Sequence, residues 1–252
     1  MPPIPAAASL QPGPSPRPAI YPDSDGLPMA ENTLQYEWIV LMVENFRALL
    51  VNDFVAGDVF WYPVEGHPEI RVAPDLVVAL GRPPGHRSSY MQWVEGGLAP
   101  QIVGEIWSPG NTFAEQAQKL RFYDRHGVQE FYAYDPDRNT FSAFLRGPGG
   151  LEPVSTEGGL ASPLTGVRFV PGDVLKVLRP DGKAFISFPE LTAAAATAAA
   201  ERDAATAERD AATAERDAAT AERDAATAER DAARARAAAL AAKLAALGIV
   251  PE

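Results

Sequence analysis

From Ala200 the heptad AERDAAT runs four times in succession and returns once more as AERDAAR, ending at Arg234. No Gly or Pro interrupts the chain from Leu191 to Leu247, and alanine dominates it. This stretch therefore has little choice but a long helix. A seven-residue period is that of a coiled coil, with Ala204/Ala207 and Ala211/Ala214 on the seam. Two features weigh against it. The seam is alanine only and buries little area, and its flanks are both acidic, Glu208 and Asp210 in one heptad. Glu, Arg and Asp are also consecutive, which gives no i,i+3 or i,i+4 ion pair. A solvated helical extension and an alanine-packed oligomerisation helix both stay open for residues 191–252. Leu240, Leu244 and Leu247 form a separate stripe that could dock elsewhere.

The other end differs. Residues 1–30 hold nine prolines and few large apolar residues, so a disordered arm is expected there. Residues 31–190 mix apolar strands, helices and turns as a globular domain does. The formal charge is −11. Up to Thr192 there are 22 acidic and 14 basic residues, a balance of −8, and beyond it 11 and 8, a balance of −3. That balance counts against tight non-specific binding of nucleic acid, leaving a local basic patch or a metal ion for any phosphate contact. The chain has no cysteine, which removes disulfides, thiol nucleophiles and thiolate zinc and fits a cytoplasmic setting. No apolar run approaches the roughly 18–20 residues of a membrane span. The first residues lack the basic start and apolar core of a signal peptide.

Within 31–190, TLQYEWIVLMVENFRALLV (33–51) has helical apolar spacing at Ile39, Met42, Val43, Phe46 and Leu50. DVFWY (58–62), PDLVVAL (74–80), QIVGEIW (101–107), EFYAYDP (130–136) and TFSAFLR (140–146) read as strands, the last two as a hairpin. A polar, Gly- and Pro-rich loop runs from 81 to Pro100. Thr112 and Glu115 form a capping box that starts a helix ending near Gly127. Short strands around Val167–Val170 and Val174–Val177 complete the domain. The fold class is α/β (or α+β), a mixed sheet with flanking helices.

Glu105 interrupts an apolar strand and Asp75 opens another, although an unpaired buried carboxylate costs several kcal/mol or must neutralise. Paired carboxylates suit a hard cation such as Mg²⁺ or Mn²⁺, which lowers the pKa of a bound water and steadies phosphoryl charge. Lys119 fits beside them. Glu105 is about three residues, ~10 Å, from the end of its strand, and Lys119 is about seven residues, ~10 Å, into the returning helix. Tyr123 follows on the same face. Other readings stand alongside: Asp75 as a turn cap after Pro74, Lys119 paired with Glu115 on the surface, Glu105 in a structural ion pair. Arg82 and Arg87, in GRPPGHRSSYMQW, suit phosphates near the site or an ordinary polar loop. His67, His86 and His126 are scattered, and no GxSxG, P-loop or GxGxxG motif is present.

RVAPDLVVAL, GEIWSPGNT and KLRFYDRHGVQEFYAYDPDRN, in that order, resemble the Uma2 (Uma-two) family of putative restriction endonucleases, within the PD-(D/E)XK nuclease superfamily. The likeness covers about residues 31–180, and the helical tail closing on LAALGIVPE is similar to tails in that family. The resemblance implies a restriction-endonuclease-like mixed sheet and a metal-dependent site that cleaves phosphodiesters of DNA. Asp75 matches the first acid and Glu105 the second, with the Ile106 carbonyl as a further metal ligand. The superfamily lysine lies two residues after the second acid, where this chain has Trp107; Lys119 matches the family's displaced lysine. An upstream helical glutamate often joins such sites, and Glu44 is the choice here, with Glu37 competing. A homodimer is expected by analogy with nucleases that cut two strands. A different class also stays open: a nuclease fold without activity that binds partners or itself through the C-terminal helix.

Overall fold

The computed structural model describes residues 19–24, 26 and 29–247, and divides into two compact units, Met1–Phe188 and Pro189–Glu252. Most of the expected arm at 1–30 lies outside the described residues. Its described part is anchored where freedom was expected. Tyr21 packs edge-on against Tyr62 at 5.2 Å and against Trp93 at 5.2 Å, and the Tyr62 hydroxyl donates to the Pro22 carbonyl.

Helix α1 spans Thr33–Leu49, and the Asn32 side chain caps it by accepting from the Gln35 amide at 2.8 Å. Its buried face is Gln35, Ile39, Met42, Val43 and Phe46, the 3.6-residue stripe extended one turn towards the N-terminus. Helix α2 spans Phe113–Arg125 and carries the expected capping box, Thr112 with Glu115. It ends where Gly127, at φ 94°, takes the left-handed conformation that glycine adopts without strain.

The main sheet has six strands. They are β1 (Phe54–Ala56), β3 (Leu76–Ala79), β5 (Ile102–Ile106), β6 (Glu130–Asp135), β7 (Thr140–Gly147) and β8 (Gly150–Val154), adjacent in that order. Only β5 and β6 pair in parallel, so the sheet is mixed. The parallel pair requires a crossover, and α2 supplies it. A two-stranded parallel ribbon joins β2 (Trp61–Tyr62) to β4 (Tyr90–Met91). A three-stranded sheet holds β9 (Leu160–Ala161), β10 (Arg168–Val170) and β11 (Lys176–Leu178). Strands β1, β4, β8 and β9 were not read from the sequence. The strand expected at 58–62 is shorter, because Asp58 sits at φ 51° and its amide turns to the Pro74 carbonyl at 3.0 Å.

Two apolar clusters cover the two faces of the sheet. One packs Ile39, Met42 and Phe46 of α1 on Leu76, Ile102, Ile106 and Tyr132. The other packs Tyr123 of α2 on Val77, Val103, Phe131 and Ala133. Full burial of each large side chain contributes about 1.5–3 kcal/mol.

Helix α3 spans Phe188–Ala246, 59 residues with none buried. Its length is about 90 Å at ~1.5 Å per residue. Threonine hydroxyls bond back one turn, as Thr206 does to the Arg202 carbonyl at 2.9 Å. Arginines meet the next residue, as Arg223 does Asp224 at 3.2 Å; both are exposed, so the contact contributes little. Among the described residues no helix is long and apolar enough to cross a membrane.

Candidate active site

Strands β3 and β5 run antiparallel with Leu76 opposite Gly104. One step further along the register sets residue 75 opposite residue 105, on the same face of the sheet. Gly104 permits this approach: a Cβ there would lie 3.1 Å from the Cβ of Leu76. Asp75 Oδ2 accepts the Ile106 amide at 2.7 Å, which ties the start of one strand to the end of the other.

Glu105 is only 1% exposed. Its Oε2 accepts from Lys119 Nζ at 2.7 Å, and its Oε1 accepts from the Tyr123 hydroxyl. The two donors lie one turn apart on α2, so a single helix face serves both carboxylate oxygens. Tyr123 is held in turn by Trp61, whose ring is nearly parallel to its own at 6.4 Å, and by Phe131 at 5.1 Å. Trp107 carries the Lys119 ammonium 5.5 Å from its ring centre. The surface bridge to Glu115 is not made, since that carboxylate is engaged by the Thr112 cap.

Two acids share one ammonium. Burial, then the charge of Glu105, push the Asp75 carboxyl well above the usual aspartate range, against the pull of Lys119 and the Ile106 amide. Burial pulls Lys119 down, but Glu105 and Asp75 outweigh it and raise the amine above its ordinary value. Lys119 is therefore an ammonium at neutral pH, a donor and not a base. Burial and the neighbouring Glu105 push the Tyr123 phenol well up, so it too stays a donor.

Asp75, Glu105 and Lys119 line a cleft of about 410 Å³. Gln35, which also lines it, donates from Nε2 to the Ile106 carbonyl at 2.7 Å and accepts the Glu31 amide at 2.8 Å. The Ile106 peptide is thus held on both sides, by Asp75 and by Gln35. Glu31 accepts from the Ser108 hydroxyl, and a Cβ at Gly110 would collide with its carboxylate. Ser108 in turn donates its amide to Asn111 Oδ1 at 2.9 Å. The SPGNT turn is therefore a socket for Glu31 that runs directly into the α2 cap, and so sets where Lys119 and Tyr123 stand.

Of the residues singled out in the sequence, Asp75, Glu105, Ile106, Lys119 and Tyr123 come together. Glu44 does not: it bonds Arg47 at 2.6 Å on the exposed side of α1. Its rival Glu37 is exposed and does not line the cleft. Arg82 and Arg87 also lie apart, bonded to the Glu95 carbonyl at 3.1 Å and its carboxylate at 2.6 Å. Gln35, Glu31, Asp58 and Arg71 line the cleft and were missed. Only Gln35 had a visible sign, a polar residue one turn before Ile39 on an apolar stripe.

A hard cation fits this donor set. Asp75 Oδ1 has no hydrogen-bond partner among the described residues, Glu105 adjoins it, and burial, then the Glu105 charge, raises Asp75. No cluster of three acidic, His or Cys ligands occurs among the described residues, so water and backbone oxygen would have to complete the shell.

A model of the Uma2 family, described as putative restriction endonuclease, matches residues 31–176. Among solved structures, the chain is similar to a putative nuclease belonging to DUF820 from Anabaena variabilis ATCC 29413. That likeness has 14% identity and a TM-score of 0.38, over 51% of this chain and 72% of the other. No curated protein matches the chain.

Proposed function

The chain belongs to the Uma2 family of putative restriction endonucleases, and from that premise we propose that its cleft is a Mg²⁺- or Mn²⁺-dependent site hydrolysing phosphodiester bonds of DNA. The observation that carries this is the pairing of Asp75 and Glu105 at facing register positions, with the Lys119 ammonium bonded to Glu105. Asp75 and Glu105 would hold the ion. The Ile106 carbonyl adjoins them, one lone pair going to Gln35 and the other left over. Bound there, the cation would lower the pKa of water and steady charge on the phosphoryl oxygens.

The chain's own groups do the rest. Lys119, kept charged by its carboxylate neighbours, donates to the attacking water or to a phosphoryl oxygen. Tyr123, fully buried, fixes the orientation of Glu105 and does not reach substrate. In the hydrolysis a water oxygen bonds to phosphorus and gives up a proton to solvent, the bond to the departing deoxyribose oxygen breaks, and that oxygen takes up a proton.

Supercoiled plasmid and single-stranded DNA incubated with Mg²⁺, Mn²⁺ or EDTA test this, beside a Glu105→Ala preparation. Metal-dependent cutting that the variant loses is expected; equal cutting by both would sink the assignment of Glu105.

A second reading has its own support. Both Glu105 oxygens already have protein donors, a self-contained ion pair, and α3 presents 59 residues with none buried. These suit a nuclease fold used as an interaction module that associates through its tail. Sedimentation of the full chain against one lacking residues 193–252 separates the two. Concentration-dependent association lost on deletion favours the module, and identical monomers remove it.

A further inference from the structure

The cleft is acidic, with Glu31, Asp58, Asp75 and Glu105 on its walls, in a protein of formal charge −11. A polyanion entering it meets repulsion that an ion at the Asp75–Glu105 pair offsets only locally. Two cationic side chains line the cleft among the described residues. Lys119 is bound to Glu105 at 2.7 Å. Arg71 is not committed in that way.

Arg71 has no carboxylate within ion-pair distance among the described residues, unlike Arg87, which holds Glu95 at 2.6 Å, or Arg138, which holds Asp135 at 2.7 Å. It is nevertheless fixed. Its guanidinium lies 5.0 Å from the centre of the Phe60 ring, and Nη1 donates to the Pro68 carbonyl at 2.9 Å. The backbone beside it is pinned, because Val72 and Trp61 exchange both amide bonds, at 2.8 and 3.3 Å. The remaining guanidinium N–H groups have no partner among the described residues. A half-buried arginine stacked on an aromatic ring, with its fork unspent and lining an acidic cleft, is held ready for an anion.

From this we infer that Arg71 is a phosphate-binding residue, gripping a backbone phosphate of the strand that is cut; the inference rests on the nuclease reading of the cleft. Arg71 stands four residues before Asp75, about 13 Å of extended chain. Charges along one nucleic-acid strand recur every ~3.4 Å of axis. Its phosphate therefore lies on the same strand as the scissile one, at most about four positions away. The planar fork takes two phosphate oxygens at once, which a lysine cannot reproduce. Arg71 is a positioning residue: it sets where the strand lies and does not touch the reacting atoms.

The test uses a fluorescein-labelled 12-nucleotide single-stranded DNA, with anisotropy read in Ca²⁺ across a range of NaCl concentrations, for the full chain and two variants. Arg71→Gln should weaken binding by about tenfold and flatten the log–log salt slope by about 0.7, the loss of one phosphate contact on a single strand. Arg71→Lys should keep the slope and lose only part of the affinity. Mn²⁺ affinity measured by calorimetry should be unchanged in both, which a merely misfolded variant would not satisfy. Wild-type affinity and slope in Arg71→Gln would overturn the role of Arg71 while leaving the nuclease site standing. A wild-type protein that neither binds the oligonucleotide in Ca²⁺ nor cuts DNA in Mn²⁺ would overturn both.

Discussion

Glu105 and Glu130 stand on the neighbouring parallel strands β5 and β6, each only 1% exposed. Both interrupt apolar runs, and each has a protein donor on both carboxylate oxygens. Glu130 accepts from the Tyr132 hydroxyl at 2.8 Å, the Ser162 hydroxyl at 2.6 Å and the Leu164 amide at 2.8 Å. All three donors are neutral, and among the described residues it has no ion pair. Glu105 takes one neutral donor and one ammonium, and a second carboxylate faces it. The register explains why their surroundings differ. Glu130 opposes Ile102, on the α1 side, whereas Glu105 opposes Ala133, on the α2 side and at the cleft. Glu130 is a staple that ties the 162–165 turn to the sheet. Burial of a carboxylate is therefore a weak sign of chemistry by itself; a second acid, a cation and an open cleft are what distinguish Glu105.

The widest gap between the two residues should appear in activity. Glu105→Ala should reduce metal-dependent cleavage by about 10³-fold, the several kcal/mol a held ion supplies at the transition state. Glu130→Ala should leave cleavage per folded molecule unchanged. It should instead lower unfolding free energy in urea by about 3 kcal/mol, since it strands two buried hydroxyls and the Leu164 amide. A Glu130 variant that folds normally but cannot cut would erase the distinction.

Tyr123→Phe sharpens it on the Glu105 side. If Glu105 holds the ion as proposed, removing the hydroxyl that orients it should weaken Mn²⁺ binding about tenfold. Tyr132→Phe, the matching change beside Glu130, should leave Mn²⁺ binding alone.

The smallest effect concerns pH. The native Asp75 pKa is raised, so its contribution to stability is full below the ordinary value of 3.8 and is lost as pH climbs through the native one. Asp75→Asn should therefore raise the melting temperature of EDTA-treated protein at pH 7, with the gain closing towards pH 4. An equal gain at both values would show that ionisation of Asp75 is not its source.

Much of this was visible in the chain. The α2 capping box, the buried stripe of α1 and the strand holding Glu105 follow from local spacing, as does the equal height of Lys119 and Glu105. What was not visible depends on chain neighbours far apart in sequence. Glu130 carries the same sign as Glu105, yet its partners Ser162 and Leu164 lie in a distant turn. Arg71 and Glu31 reach the cleft only because of how the segments before β3 and α1 cross it. Asp58 broke a strand that its apolar neighbours favoured, through a backbone conformation that residue type alone does not specify. Glu44 was chosen as a helical acid, but the α1 stripe faces the core through Ile39, Met42 and Phe46, which turns position 44 outward.

We propose that Asp75 and Glu105, and not merely any buried acid of this sheet, hold a divalent ion. Calorimetric titration of Mn²⁺ into wild-type, Glu105→Gln and Glu130→Gln proteins tests it most directly. Mn²⁺ uptake by the wild type and by Glu130→Gln, with loss in Glu105→Gln, is the predicted result. Undiminished Mn²⁺ uptake by folded Glu105→Gln would contradict it.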